Sequence, residues 1–211
     1  VAVEGSMLAK MRNLGEACTA ANRIYLHENV NEAFTEKLTA AMTALKVGDG
    51  TDPSVDVGPL VNAETRDNVA AFVEDAVAKG ATLHCGGETP NGKGYYYPPT
   101  VLSDVPPNAD CINDEIFGPV AAIQSFTDPD EVIARANDTE YGLVAYVFTR
   151  DMKRGMQVCE RLDYGVVGLN RGLVSDPAAP FGGTKQSGLG REGGHEGMHE
   201  FMETQYISAS W

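Results

Sequence analysis

The sequence predicts an α/β fold with a parallel sheet, and three observations support this prediction. Segments with apolar residues at helical spacing alternate with short apolar runs that are typical of buried strands. These runs are mostly continuous, as expected of strands that helices cover on both faces. A length of 211 residues, with 43% hydrophobic and 22% charged residues, suits one large globular domain.

The amino-terminal part begins with helical periodicity over residues 3–11, and a short strand is predicted at residues 23–27. Asn31 is predicted to cap a helix with an apolar stripe, because asparagine side chains accept hydrogen bonds from the first helical turn. A loop rich in glycine, aspartate and proline occupies residues 48–58. Asn62 then opens a second helix with an apolar face.

The second helix is predicted to end at Gly80, a residue type common at helix ends, and a strand follows at residues 81–85. Residues 86–107 are predicted to form a long segment interrupted by glycines and prolines, in which the tyrosines at 95–97 are interpreted as a half-buried strand edge. A strand at residues 120–126 comes next. Asp128 begins the sequence D-P-D-E, which indicates a helix start because it supplies a cap, a first-turn proline and a glutamate.

The last part contains two predicted buried strands, at residues 143–148 and 166–170, on either side of a helix that Asp151 caps. Residues 182–197 are dense in glycine. A final strand at residues 205–210 has no helix behind it. We therefore expect this strand to pair with another chain instead of the central sheet.

Charge and cysteine content exclude several classes of function. The net charge of -14 argues against nucleic acid and anionic membrane partners, because both need a basic surface. No apolar run is long enough to span a membrane. The cysteines are widely spaced without a C-x-x-C pair, so no metal site is predicted and a reducing cytoplasm is expected. They are Cys18, Cys85, Cys111 and Cys159.

Cys18 is the first candidate for chemistry. It closes the motif R-N-x-G-x-x-C at residues 12–18, where the first helix gives way to a strand. A thiol at such a turn can project into a cleft, and its thiolate is a strong nucleophile. The alternative is a buried and inert cysteine, which the local sequence alone favours.

Two other motif positions are candidate binding residues. Glu115 begins the motif E-I-F-G-P-V, and its carboxylate can accept hydrogen bonds from two ribose hydroxyls while Phe117 packs against a ring. The alternative is a surface acid beside an ordinary core aromatic residue. Arg12 lies on the same short segment as Cys18 and can pair with a substrate carboxylate. The alternative for Arg12 is a solvated helix end.

Residues 180–192 form a third motif, P-F-G-G-T-K-Q-S-G-L-G-R-E, which lacks the spacing of a phosphate-binding loop. In this order, the three motifs resemble those of the aldehyde dehydrogenase family, and the resemblance covers essentially the whole chain. Within the family, residues 168–175 and 188–193 are most similar to succinate-semialdehyde dehydrogenases, particularly NADP-dependent bacterial ones.

This resemblance implies a role for each candidate. Cys18 is the nucleophile that attacks the aldehyde, and its backbone N–H helps to hold the oxyanion. Glu115 binds the nicotinamide ribose, with Phe117 packed beside it. Arg12 and Ser175 grip the substrate carboxylate. The implied activity is oxidation of succinate semialdehyde to succinate with NADP, or alternatively NAD, and without a metal.

The resemblance also implies an organisation. Residues 1–200 correspond to the catalytic domain and residues 201–211 to a C-terminal oligomerisation strand, which completes a neighbouring subunit's sheet in a homo-oligomer. The family's nucleotide-binding glycines, general-base glutamate and oxyanion asparagine have no counterpart in these residues. We therefore expect the chain to be the catalytic half of an enzyme, to lack the nucleotide-binding domain and to be inactive alone.

Three other functions stay open at this point. A dehydrogenase for another short-chain acid aldehyde or an ω-amino aldehyde is one, although an amine would favour a carboxylate where Arg12 stands. An isolated domain without redox activity is another. A cysteine–histidine hydrolase is the third, and it needs a histidine beside Cys18. The candidates for that histidine are His27, His84, His195 and His199.

Overall fold

The structure, a computed structural model, describes residues 1–211 and confirms an α/β fold with a parallel-sheet core. The central sheet contains β1 (Arg23–His27), β2 (Thr82–Cys85), β3 (Thr100–Ser103) and β4 (Val120–Phe126), in the order β1-β4-β3-β2. Strands β1 and β3 run parallel to β4, whereas β2 is antiparallel to β3. The sheet is therefore mixed, with its antiparallel strand at one edge.

Helices cover both faces of the central sheet, which explains why its inner strands are almost entirely buried. None of the helices is both long enough and apolar enough to cross a bilayer. The helices are α1 (Ala2–Met11), α2 (Glu28–Thr43), α3 (Ala63–Ala78), α4 (Asp110–Asn113), α5 (Pro129–Asn137), α6 (Met152–Arg161) and α7 (Glu196–His199).

Two separate cores lie on the two faces. On one face, Leu38 of α2 packs in a cluster with Val101 of β3. On the other face, Val69 of α3 packs in a larger cluster with Leu102, the next residue of β3. Neighbouring residues of one strand point to opposite faces, so every residue of β3 is buried.

In the amino-terminal half of the chain, two predictions about local structure are wrong. Helix α2 begins at Glu28 and is capped by His27, whose Nδ1 accepts a hydrogen bond from the Asn29 amide at 3.3 Å, so Asn31 is not the cap. Residues 95–97, the predicted strand edge, are not in a strand, and β3 begins three residues later, at Thr100. The Asn62, Asp128 and Asp151 caps are confirmed, since each side chain accepts a hydrogen bond from its helix.

The carboxyl-terminal part forms two small sheets. Strand β5 (Tyr141–Gly142) pairs with β8 (Thr184–Lys185), and β6 (Val144–Val147) runs parallel to β7 (Val166–Leu169). Both strands were predicted, but most of their residues are half-buried, so the prediction that they are buried is wrong.

The central sheet and the β6–β7 pair leave a gap between them. Strand β1 has no partner beyond β4, and β6 has none beyond β7. All of β1 and the segment from Leu143 to Tyr146 line one cavity of about 650 Å³. We call this boundary, between the outer edges of β1 and β6, the seam. The Tyr146 hydroxyl crosses the seam and donates a hydrogen bond to the Thr19 carbonyl at 2.9 Å.

The predicted C-terminal strand is absent from the structure. Residues 205–210 form no strand pairing and are exposed. Residues 201–211, which we call the tail, contain four large apolar side chains that are 76–110% exposed. They are Phe201, Tyr206, Ile207 and Trp211.

Candidate active site

The two main motifs meet because of the topology of the central sheet. Cys18 lies in the loop before β1, and Glu115 lies in the loop before β4. These strands are parallel neighbours, with Arg23 opposite Ala122, so both loops lie at the same end of the sheet. The side chains of Cys18 and Glu115 are both exposed and both line the cavity at the seam. Cys18 is therefore not buried, unlike the cysteine of the alternative interpretation.

A left-handed turn leads to Cys18. Asn13, Leu14 and Gly15 have φ values of 52°, 60° and 79°, a region that costs residues with a Cβ about 1–2 kcal/mol each. A Cβ on Gly15 would collide with the carbonyl oxygen of Gly118. The absence of a side chain at Gly15 thus lets the first motif lie directly on the backbone of the second.

Asn22 joins the same two segments through its side-chain amide. Its Nδ2 donates to the carbonyl oxygens of Cys111 and Asp114 at 3.0 and 2.9 Å. Its Oδ1 accepts a hydrogen bond from the Ile116 amide at 2.9 Å. These contacts hold the backbone on both sides of Glu115, and the motifs in the sequence gave no reason to single out Asn22.

We predict that Asn22→Ala weakens both the fold and the activity of the full-length enzyme. Three hydrogen bonds to backbone groups are lost, so we expect the free energy of unfolding to fall by about 2–3 kcal/mol. We expect kcat/KM to fall about 10²-fold, since small displacements of reacting groups are costly. Urea unfolding and steady-state kinetics measure the two effects. The control is Asn113→Ala, which removes two longer bonds on α4; equal losses in both variants would contradict a special role for Asn22.

The backbone at Cys18 is suited to hold an oxyanion. The Cys18 N–H donates no backbone hydrogen bond within the chain. An unpaired N–H beside an exposed thiol is the donor that a tetrahedral oxyanion requires. Phe117 has a φ of 51° and is 36% exposed, so it is not the ordinary core aromatic of the alternative interpretation.

Arg12 and Ser175 are both exposed, but the structure does not join them. The Arg12 Nη2 donates to the Thr19 hydroxyl at 2.9 Å, which ties it to the residue after Cys18. The segment that carries Ser175 reaches α1 at Gly172, where an added Cβ would collide with the Gly5 carbonyl. Neither residue lines the cavity that Cys18 and Glu115 share.

The histidines do not support a cysteine–histidine hydrolase. His27 caps α2, and His84 forms a hydrogen bond to the Ser103 hydroxyl at 2.8 Å. His195 and His199 pack edge to face, with 5.2 Å between ring centres. None of them forms a hydrogen bond with Cys18, and no group of three or more His, Cys, Asp or Glu residues is placed to hold a metal ion.

Comparison with known proteins gives the family. The sequence profile of the aldehyde dehydrogenase family matches residues 1–207. The chain belongs to the aldehyde dehydrogenase family. A succinate-semialdehyde dehydrogenase from Paenarthrobacter nicotinovorans is 55% identical over 206 residues, which is 98% of this chain and 46% of that protein. A glutarate-semialdehyde dehydrogenase from Pseudomonas putida is 46% identical over 209 residues, or 99% of this chain and 43% of that protein.

Solved structures agree with this membership of the aldehyde dehydrogenase family. A crystal structure described as an Escherichia coli NADP-dependent enzyme superposes with a TM-score of 0.95 at 46% identity. The match covers 98% of this chain and 43% of the other. The chain thus spans less than half the length of the curated relatives that it matches.

Proposed function

We propose that these residues form the catalytic domain of an enzyme that oxidises succinate semialdehyde to succinate, with Cys18 as the nucleophile. The observation that carries the proposal is the meeting of Cys18 and Glu115 in one cavity of an aldehyde dehydrogenase chain. We include residues 1–200 in this domain. A spectrophotometric assay of nucleotide reduction by the full-length enzyme, with succinate semialdehyde as substrate, tests the proposal. Failure to reduce either NADP or NAD would contradict it.

Cys18 supplies the covalent chemistry in this proposal. The thiolate attacks the aldehyde carbon, and a tetrahedral thiohemiacetal forms with its oxyanion near the free Cys18 N–H. Oxidation of this adduct leaves a thioester on the same sulfur, and hydrolysis releases the carboxylic acid and the thiol. No side chain of this chain forms a hydrogen bond with the Cys18 sulfur. No general base for the hydrolysis step can therefore be assigned from hydrogen bonds to the nucleophile.

The residues around Glu115 fit a nicotinamide nucleotide. The Glu115 carboxylate is exposed, lines the cavity and can accept hydrogen bonds from ribose hydroxyls. Phe117 presents a partly exposed ring two residues further on. A bound nicotinamide supplies the oxidising power by accepting a hydride. We propose NADP because the structurally similar E. coli protein is described as NADP-dependent; NAD is the alternative.

Arg12 and Ser175 are proposed to bind the distal carboxylate of the substrate. The exposed guanidinium of Arg12 uses one donor on Thr19, so four of its five N–H groups are free for a carboxylate. An ω-amino aldehyde would be repelled by this cation. Glutarate semialdehyde, one methylene longer, is the second candidate substrate, because a glutarate-semialdehyde dehydrogenase is 46% identical to this chain.

We predict that Arg12→Ala raises KM for succinate semialdehyde about 10- to 150-fold, and KM for butanal much less. A charge-assisted pair between the guanidinium and the substrate carboxylate is worth about 1.5–3 kcal/mol. Butanal has no carboxylate, so its binding does not depend on this pair. Steady-state kinetics with both aldehydes measure the split. Thr19→Val is the matched control because it removes the hydroxyl that Arg12 contacts but keeps the cation. Arg12 would have only a structural role if Arg12→Ala raised KM equally for both aldehydes and Thr19→Val raised it to the same extent.

We also propose that residues 201–211 mediate assembly into a homo-oligomer. The tail carries unpaired backbone and large exposed apolar side chains. Such segments are suited to adding a strand to a neighbouring sheet.

A further inference from the structure

Cys18 lies at the centre of a tight turn formed by residues 17–20. The Ala20 amide donates a hydrogen bond to the Ala17 carbonyl oxygen at 2.8 Å, which closes the turn and leaves Cys18 and Thr19 at its two central positions. The Cys18 N–H itself donates no backbone hydrogen bond. The orientation of this turn therefore decides where the thiol and the proposed oxyanion donor point.

Two side chains from outside the turn hold Thr19. Arg12, which belongs to the same short segment of the chain, donates to the Thr19 hydroxyl at 2.9 Å. The Tyr146 hydroxyl donates to the Thr19 carbonyl oxygen at 2.9 Å from β6, across the seam. No other group in the chain donates a hydrogen bond to this carbonyl. Thr19 is 5% exposed, so its carbonyl would be left buried without a partner if the tyrosine hydroxyl were removed.

The bond from Tyr146 and the bond that closes the turn act on the same peptide group. This group joins Thr19 to Ala20, and its carbonyl accepts from Tyr146 while its N–H donates to Ala17. Because a peptide group is planar, hydrogen bonds at both of its polar ends oppose its rotation. Tyr146 therefore helps to fix the half of the turn that follows Cys18.

Tyr146 is itself well supported. Its ring lies beside Gly168, its neighbour on β7, where an added Cβ would stand 3.3 Å from the ring. Its side chain lines the same cavity as Cys18. Burial raises the pKa of the Tyr146 hydroxyl, although the bond to Thr19 and the nearby Arg12 guanidinium oppose this shift. The hydroxyl therefore keeps the proton that it donates at neutral and mildly alkaline pH.

We propose that Tyr146 is a positioning residue for the nucleophile, and that its hydroxyl holds the Cys18 turn in the reactive orientation through the Thr19 carbonyl. This inference rests on the proposed function, because it assigns the benefit to the reaction at Cys18. A phenylalanine at this position would keep the ring and its packing, so the role belongs to the hydroxyl. In contrast to Arg12, Tyr146 does not act on the substrate carboxylate, so its effect does not depend on which aldehyde is oxidised.

The test is Tyr146→Phe in the full-length enzyme, with Tyr164→Phe as the matched control. Tyr164 is also half-buried, lines the same cavity and donates from its hydroxyl to a backbone carbonyl, that of Ala136 at 2.7 Å. Arg23 also donates to the Ala136 carbonyl, so that carbonyl keeps a partner in the control variant. The two variants lose the same group, but only Tyr146→Phe frees the turn that carries Cys18.

We expect the single-turnover rate of nucleotide reduction to fall about tenfold in Tyr146→Phe, because small displacements of a nucleophile are costly. The fall should be equal for succinate semialdehyde and butanal, and KM for NADP should change less than about twofold. Tyr164→Phe should keep the single-turnover rate within about twofold of the wild type. A role in packing alone would lower the melting temperature of both variants and leave these rates unchanged.

Hydrogen exchange gives a second readout that needs no activity. The Ala20 N–H closes the turn, so its exchange reports how firmly the turn is held. We expect this exchange, measured in peptides that contain Ala20, to be about three- to tenfold faster in Tyr146→Phe than in the wild type. Tyr164→Phe should leave it unchanged.

Three results would overturn the inference. They are equal single-turnover rates in the two variants, a loss in Tyr146→Phe that is confined to succinate semialdehyde, and unchanged exchange of the Ala20 amide in Tyr146→Phe. If the wild-type enzyme reduced no nucleotide, the proposed function would fail, and the exchange measurement would still decide whether Tyr146 holds the turn. The two failures are therefore distinguishable.

Discussion

Replacing Cys18 by alanine is expected to abolish aldehyde oxidation by the full-length enzyme, with kcat reduced about 10⁴-fold or more. The proposed reaction proceeds through two covalent adducts on this sulfur, and Cys18 is the only cysteine that lines the cavity. Stability should change little, because the side chain is exposed and contributes little buried surface. Nucleotide reduction followed by absorbance, together with a thermal melt, separates the two effects.

Cys159→Ala is the matched control for this prediction. Cys159 is a half-buried free cysteine on α6, and it does not line the cavity. We expect its loss to leave kcat within about twofold and to cost about 1 kcal/mol of stability at most. Equal and mild effects of the two substitutions would show that Cys18 is not the nucleophile.

Gly15→Ala is expected to have the second-largest effect, through the backbone. At a φ of 79° an alanine is strained, and its Cβ would collide with the Gly118 carbonyl. We expect about 3 kcal/mol or more of destabilisation, since strain and overpacking add. Displacement of the Gly118 loop should lower kcat/KM about 10²-fold, because Glu115 and Cys18 separate.

Two other glycines resolve the causes of this effect. Gly80 has a φ of 110° but open space around a Cβ, so Gly80→Ala measures backbone strain alone. Gly58 has neither a positive φ nor a neighbour within 4 Å, so Gly58→Ala should change stability by about 0.5 kcal/mol or less. Urea unfolding and kinetics are measured for all three variants. If Gly15→Ala and Gly80→Ala lowered the free energy of unfolding and kcat/KM by the same amounts, the contact between Gly15 and Gly118 would be unimportant.

Local sequence signals were sufficient for some elements. Strand β4 is predicted at its observed bounds, because seven mostly apolar residues end at the Asp128 cap. Strand β3 was missed because four residues between prolines and an aspartate are too short to show periodicity. The sequence of α6 places Met152, Met156 and Cys159 on one helical face, yet Met152 and Met156 are 66% and 49% exposed. Periodicity identifies the face that favours burial, but it does not show what covers that face.

The site was predictable only in part. Sequence spacing does not show that β1 and β4 are neighbours, so the resemblance alone brought Cys18 and Glu115 together. In open α/β sheets ligands usually bind beyond the carboxyl ends of the strands, whereas these residues precede their strands. The roles of Cys18, Glu115, Phe117, Arg12 and Ser175 all remain predictions.

The seam also divides the molecule into regions of unequal cooperativity. On one side, β3 and β4 lie between two packed cores, so we expect their amides to exchange mainly through unfolding of the whole sheet. On the other side, β6 and β7 form a two-stranded sheet with one unpaired edge each, so local opening costs less free energy there. The Tyr146–Thr19 hydrogen bond links this less stable region to the residue beside Cys18. We therefore expect hydrogen exchange in β6 and in the loop before β1 to be faster than in β3 and β4.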